Sequence, residues 1–324
     1  MALDRTTTLG TSGAPVLRVA FGCEQLGGHN WGEVVVSDVL SAIDEAIDCG
    51  VNLFDTADCY GLGESERRLG ALLRARRSNV MVATKFGVRV DPSGRVSYDS
   101  SPEWAERALD ASLSRLQTDC VDLLQLHYWD RRTPIAATLE CMERLRIAGK
   151  CRYIGATNVS AADLPRVLPE GFVSLSLEHS LVARGSETDA QAAGERGLTF
   201  LGYGTLAQGL LSGRYGPDHR FGGNDRRSRA TYVQHHGARR DRNMSIVAVI
   251  SEAAAALGAS PAQVAIAWVL ERLPRSIALV GLKRSAQLRE ALGALELRLT
   301  DPWRTRLDDI SALADAAGPT HARA

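Results

Sequence analysis

The chain has 324 residues, with 38 Lys and Arg against 38 Asp and Glu, so it carries no formal net charge at neutral pH. At 45% hydrophobic, 23% charged and 6% aromatic residues, it has neither the basic balance of a nucleic-acid or membrane-surface binder nor the polarity of a disordered chain. The length suits two average domains or one large barrel, and no apolar run reaches the ~18 residues of a membrane span.

In chain order, short apolar runs alternate with helical patterns. Residues 16–22 read as a strand, followed by a loop holding Gly27, Gly28 and Gly32. An amphipathic helix spans 37–49, with Val39, Leu40, Ile43, Ala46 and Ile47 on one face and Gly50 stopping it. The spacing then predicts a strand at 52–55, a helix at 65–74, a strand at 80–85 and a helix at 102–116 with Pro102 in its first turn. Next come a strand at 121–126, a helix at 134–148, a strand at 152–156 and a helix at 161–167. A strand at 173–177, a helix at 189–196 and a strand at 198–202 follow. After a long loop, helices are expected at 245–257 and 261–271, a last strand at 277–280 and a last crossing helix at 285–295.

Eight strands, each followed by helix, must pair in parallel, because a parallel pair needs a long crossover. The expected fold is α/β: a (β/α)8 TIM barrel, one domain over 1–324 with its core at about 14–300 and a C-terminal helical segment. An open doubly wound sheet would want a glycine fingerprint after its first strand; Gly22-Cys23-Glu24-Gln25-Leu26-Gly27 does not supply one. Residues 1–10 are polar and lack a signal peptide's apolar core. Cys23, Cys49, Cys59, Cys120, Cys141 and Cys151 form no CxxC pair. They are expected to be buried free thiols in a reducing cytoplasm, with no disulfide and no metal site. Residues 214–243 hold eight Arg against Asp218, Asp225 and Asp241. This is either a solvated loop or a basic lid over an anionic ligand.

Barrel active sites lie at the carboxyl ends of the strands. There the pattern delivers Asp55, then Tyr60, then Lys85, then His127: an acid, a phenol, an amine and an imidazole. Lys and Asp are seldom buried unless paired, so Lys85 should pair with Asp55. A nearby ammonium should lower the phenol's pKa and let it exchange a proton with a carbonyl or alcohol oxygen. His127 can orient the same oxygen. No side chain supplies hydride; a nicotinamide would.

Phe54-Asp55-Thr56-Ala57-Asp58-Cys59-Tyr60-Gly61-Leu62-Gly63-Glu64-Ser65-Glu66 resembles the signature of the aldo-keto reductases. So do Ala83-Thr84-Lys85-Phe86-Gly87, Val121-Asp122-Leu123-Leu124-Gln125-Leu126-His127, and the stretch from Gly149-Lys150 through Tyr153-Ile154-Gly155-Ala156-Thr157-Asn158. The four blocks occur in the family's order. The resemblance implies Tyr60 as catalytic acid, tuned by Lys85 and Asp55, with His127 positioning the carbonyl. It also implies NADPH/NADP+ lying extended over the barrel mouth. Thr157 and Asn158 would hold the carboxamide, and the segment with Tyr203, Gly204, Leu206, Gly209, Leu211 and Gly213 would wrap the pyrophosphate. Gly281, Lys283, Arg284, Gln287 and Glu290 would grip the adenosine 2′-phosphate, where Lys283 and Arg284 suit charge-assisted bonding.

Some positions depart from that pattern. Ser176 stands where a Gln would bond the carboxamide, His179 where a Tyr would stack on the nicotinamide, and Ala291 where an Asn lies near the adenine. Glu24 sits where an apolar residue is usual; it either adds a carboxylate to the substrate pocket or forms an outward or salt-bridged surface group. Trp31 and Trp129 are pocket walls or packing residues. The expected activity is NADPH-dependent reduction of an aldehyde or ketone, sugar-like or from specialised metabolism, in the cytoplasm. The alternatives are a redox-neutral epimerase with bound nicotinamide and a cofactor-binding regulatory subunit. The expected partner is a small-molecule carbonyl substrate, not nucleic acid or membrane.

Overall fold

The computed structural model describes residues 4–91 and 93–315. Eight parallel strands close a barrel: β1 (Val19–Gly22), β2 (Leu53–Asp55), β3 (Met81–Phe86), β4 (Val121–Leu126), β5 (Cys151–Thr157), β6 (Phe172–Glu178), β7 (Thr199–Tyr203) and β8 (Ile277–Gly281). Around it run α1 (Val36–Asp48), α2 (Glu64–Leu73), α3 (Pro102–Leu116), α4 (Ile135–Ile147), α5 (Glu187–Glu195), α6 (Gly237–Leu257), α7 (Pro261–Arg272), α8 (Ser285–Gly293) and α9 (Asp301–Asp315). No single helix among the described residues is long and apolar enough to cross a membrane.

Local chemistry explains several boundaries. Ser101 accepts from the Trp104 amide and Pro102 opens α3, the N-cap and first-turn proline that favour a helix start. A capping box does the same for α7: Ser260 Oγ accepts from the Gln263 amide at 3.2 Å, and Gln263 Oε1 accepts from the Ser260 amide at 2.8 Å.

Four expectations need correction. The helix expected at 161–167 is a series of turns, so the unit after β5 has no helix. Pro165 removes an amide from the middle of that stretch, and Asp189 holds the Ala161 amide and the Ser160 hydroxyl instead. The run 16–22 is split: Pro15–Leu17 pairs antiparallel with Thr6–Thr8 before β1 begins. This hairpin buries Leu9 and Val16 completely against Ala20, Leu53, Ala83 and Leu123, closing the barrel floor. The long loop ends earlier than expected, because α6 starts at Gly237. Cys49 is exposed, and Cys59 and Cys120 are half-buried, whereas Cys23, Cys141 and Cys151 are buried as expected.

Candidate active site

Register places the four candidate side chains. Asp55 in β2 pairs with Ala83, so Lys85 lies two residues further along β3. Lys85 pairs with Gln125, so His127 lies two further along β4, where its amide still bonds Phe86 O at 2.7 Å. Alternation by two keeps all of these on the inner face. The stagger of the closed barrel carries them across the mouth as a staircase.

Lys85 Nζ donates to Asp55 Oδ1 at 2.6 Å and to Thr56 O at 2.7 Å. It also lies 5.0 Å from the Tyr60 ring centroid. The Tyr60 and His127 rings meet edge to face at 5.9 Å. Tyr60 is aimed by the turn after β2. Gly61, at φ +60°, lies so close to Gly27 that a Cβ there would overlap the Gly27 backbone. Ser65 Oγ, at the start of α2, accepts from Thr56 Oγ1 and donates to Cys23 O, both at 2.8 Å.

The electrostatics differ from the sequence expectation at one point. Burial, then the charges of Glu24 and Asp55, raise the Tyr60 pKa well above its ordinary value. The phenol is therefore held protonated rather than shifted toward phenolate. Burial, then Lys85, push His127 well below its usual range, so the imidazole is neutral. Burial raises Asp55 while Lys85 pulls it back. The site thus presents a phenolic O–H and a neutral imidazole beside a compensated ion pair.

Two loops meet over the mouth. Trp31, after β1, forms an antiparallel bridge with Asp225, after β7. The Arg226 amide bonds Asn30 O at 2.9 Å, and Arg229 bonds Asn30 Oδ1 at 3.0 Å. Arg226 ion-pairs with Glu24 and stacks 5.0 Å over Trp31. Arg227 is buried against Asp225 at 2.6 Å and lies 4.1 Å over the Phe221 ring. Arg214, Arg226 and Arg227 of the basic segment are therefore held in ion pairs within the protein. Glu24 is both salt-bridged and close enough to act on the Tyr60, Tyr128, Tyr203 and Tyr232 phenols.

Thr157 Oγ1 at the end of β5 is buried without a partner, as are Gln25 Oε1 after β1 and Gln208 Oε1 after β7. Asn158 accepts from the Tyr203 hydroxyl at 2.6 Å and donates to His127 O at 3.0 Å, which joins β7 to the tetrad. Lys283 Nζ bonds Trp31 O at 2.6 Å and Glu33 O at 3.2 Å, Gln287 accepts the Lys283 amide at 2.8 Å, and Glu290 pairs with Arg214 at 3.0 Å. Arg284 is exposed just before α8. Gly204 and Leu206 lead into a kink in which Ala207, Gln208 and Gly209 all take positive φ, and Gly213 rests against Pro261 while Gly281 rests against Gln25.

Some expected contacts are not made. His179 is fully buried in the barrel wall, stacked on Trp268 at 5.6 Å with its Nδ1 3.3 Å from Ser186 Oγ. It therefore cannot stack on a ligand at the mouth. Tyr203 is the ring there, packed on the barrel's inner layer. Ser176 is fully buried and donates to Leu201 O at 2.9 Å. The side chains of Leu211 and Ala291 are buried in the core clusters. Trp129 is committed within its own loop, to Thr133 O at 2.7 Å and under Arg131. Trp31 is a wall under Arg226 and Arg227.

The sequence reading missed Gln125. It is fully buried, and both its polar side-chain atoms lack partners. The inward alternation Leu123, Gln125, His127 was the available signal. It also missed Tyr128, whose ring contacts His127 at 5.2 Å and Tyr98 at 4.9 Å.

A family model described as the aldo/keto reductase family matches residues 18–312. The chain is 32% identical over 305 residues to the NADP(+) aldo-keto reductase yakc of Schizosaccharomyces pombe, covering 91% of this chain and 88% of that protein. Its fold matches a glycerol dehydrogenase of Gluconobacter oxydans with a TM-score of 0.85 at 30% identity, covering 96% of each chain. It also matches an aldo/keto reductase of Klebsiella pneumoniae solved with NADP and acetate, with a TM-score of 0.71 at 26% identity over 95% of this chain and 96% of that one. The chain belongs to the aldo/keto reductase family of oxidoreductases.

Proposed function

We propose that this chain reduces an aldehyde or ketone to an alcohol with NADPH, and runs the reverse oxidation, with Tyr60 as general acid. The observation that carries the reading is the convergence of Tyr60, Lys85, Asp55 and His127 on one mouth, with the phenol protonated and the imidazole neutral. NADPH, when bound, supplies the hydride for the carbonyl carbon and is oxidised to NADP+. The Tyr60 hydroxyl gives its proton to the carbonyl oxygen as charge develops there. The Lys85 ammonium stabilises the phenolate left behind, and solvent returns the proton. His127 orients the oxygen by a hydrogen bond.

The mouth fits such a cofactor. Thr157, Gln25 and Gln208 each offer a buried oxygen lacking a partner. Tyr203 offers a ring beside the tetrad, and Lys283 and Arg284 offer cationic donors where the 2′-phosphate would lie. Glu24 and several phenols at the mouth favour a polyhydroxylated substrate. The structural relative named as a glycerol dehydrogenase supports that class. The test is fluorescence titration with NADPH and NADH side by side, then turnover with a panel of hydroxyaldehydes. NADPH-selective binding and turnover are expected. A folded protein that bound neither cofactor would overturn the reading.

A further inference from the structure

Spacing along the chain offers no metal motif, but folding assembles one set of ligands. Among the described residues, a carboxylate oxygen of Asp58, Cys59 Sγ and a ring nitrogen of His127 all lie within 4.8 Å of one another. Asp58 and Cys59 come from the turn after β2, and His127 from the end of β4. Cys59 Sγ and His127 Nδ1 are 3.7 Å apart. A tetrahedral zinc ion with ordinary Zn–S and Zn–N bonds sets that edge at about 3.6 Å, so the pair is already spaced to chelate. Asp58 Oδ1 is buried with no hydrogen-bond partner, an acceptor left unused by the protein. Cys59 and Asp58 are only half-buried, so the set is not sealed from solvent.

We propose that Asp58, Cys59 and His127 form a binding site for a zinc-class divalent cation, and that its occupancy shuts the tetrad off. One thiolate, one imidazole and one carboxylate are a donor set for zinc or its spectroscopic substitute cobalt, not for the oxygen-seeking magnesium or calcium. Three protein ligands leave a fourth position for water. Binding replaces the Cys59 S–H proton, which passes to solvent, with a sulfur–metal bond, so that thiolate and carboxylate together neutralise the dication. Lys85 does not oppose it with a bare charge, since Asp55 holds it at 2.6 Å. The ion fixes His127, so His127 can no longer adjust to a substrate oxygen.

The site does not rest on the hydride-transfer reading, because binding is read separately from turnover. The full chain, freed of metal with a chelator and carrying Cys49→Ser and Cys120→Ser to remove the other accessible thiols, would be titrated with Co2+. A thiolate-to-cobalt charge-transfer band saturating at one equivalent is expected. It should vanish in Cys59→Ala and be displaced by Zn2+. In parallel, Zn2+ should inhibit NADPH-dependent aldehyde reduction, and the half-inhibiting concentration should rise at least about tenfold in Cys59→Ala, with metal-free turnover kept. Asp58→Asn is the second variant, with the same direction expected if Cys59→Ala folds poorly. No cobalt–thiolate band, or a band that survives Cys59→Ala, would overturn the site. Cobalt binding that leaves turnover unchanged would overturn the link to His127.

Discussion

The floor of the mouth and its roof are held together by different means. The tetrad stands on strand ends whose positions follow from barrel register, and its ion pair is buried: Lys85 is 3% and Asp55 5% exposed. The roof is two loops joined by an isolated bridge, side-chain bonds to backbone and the Glu24–Arg226 pair, whose side chains are 29% and 23% exposed. The first is fixed before any ligand arrives. The second includes a part-exposed ion pair, Glu24–Arg226, that water can replace. On the proposed function, chemistry would sit on the rigid part and ligand exchange on the other.

The sharpest way to test that division is at the floor. Tyr60→Phe is expected to lower turnover by ~10²–10⁴-fold, the usual size of a general-acid contribution, while NADPH still quenches protein fluorescence. Turnover within a few-fold of the parent would remove Tyr60 from the mechanism. Lys85→Met should cost ~3–5 kcal/mol in urea unfolding, because it leaves Asp55 buried and unpaired. If that variant proved as stable as the parent, the floor would not be the rigid half of the comparison.

Away from the floor the expected effects are smaller. Arg284→Ala should weaken NADPH by ~1.5–3 kcal/mol, the worth of a charged hydrogen bond, and NADH hardly at all. An equal loss for both would move the 2′-phosphate elsewhere. Glu24→Gln should cost under about 1 kcal/mol of stability, as part-exposed pairs do, and show itself as a change in substrate preference. A stability loss as large as that of Lys85→Met would erase the distinction between floor and roof.

A titration sharpens the same picture. Burial, then the nearby Glu66 charge, raise Asp58 from an ordinary 3.8 to about 7. The folded state holds that proton more tightly than the unfolded chain. Stability from this group is thus fully present below about pH 4 and is lost as pH rises toward 7. In chelator, Asp58→Asn should raise the melting temperature at pH 8 relative to the parent. A parent advantage at pH 8 would show that the Asp58 carboxylate is stabilised by a partner.

The sequence already contained much of this. Parallel strands followed from the alternation of short apolar runs with helical periods, and the inward residues followed from a period of two. The tetrad was legible because each member ends a strand or follows one by a few residues. The helix at 161–167 was misread because apolar periodicity outweighed Pro165 over a stretch too short to bear it. The resemblance implies a stacking ring at His179, but Trp268 and Ser186 hold it inside the barrel wall.

What the sequence determined by itself was the local and periodic part: strand and helix type, caps, the turn that aims Tyr60, and the charges available at the mouth. What only the tertiary structure decided was the balance of opposing influences. Whether Tyr60 keeps its proton depends on burial and two carboxylates outweighing one ammonium. Whether Arg226 after β7 stays free depends on Glu24, a partner from a loop far away in sequence. The meeting of Asp58 and Cys59 with His127 likewise needs the barrel to bring residue 59 within reach of residue 127. These are sums over neighbours in space, and neighbours in space are set by packing that no local pattern encodes.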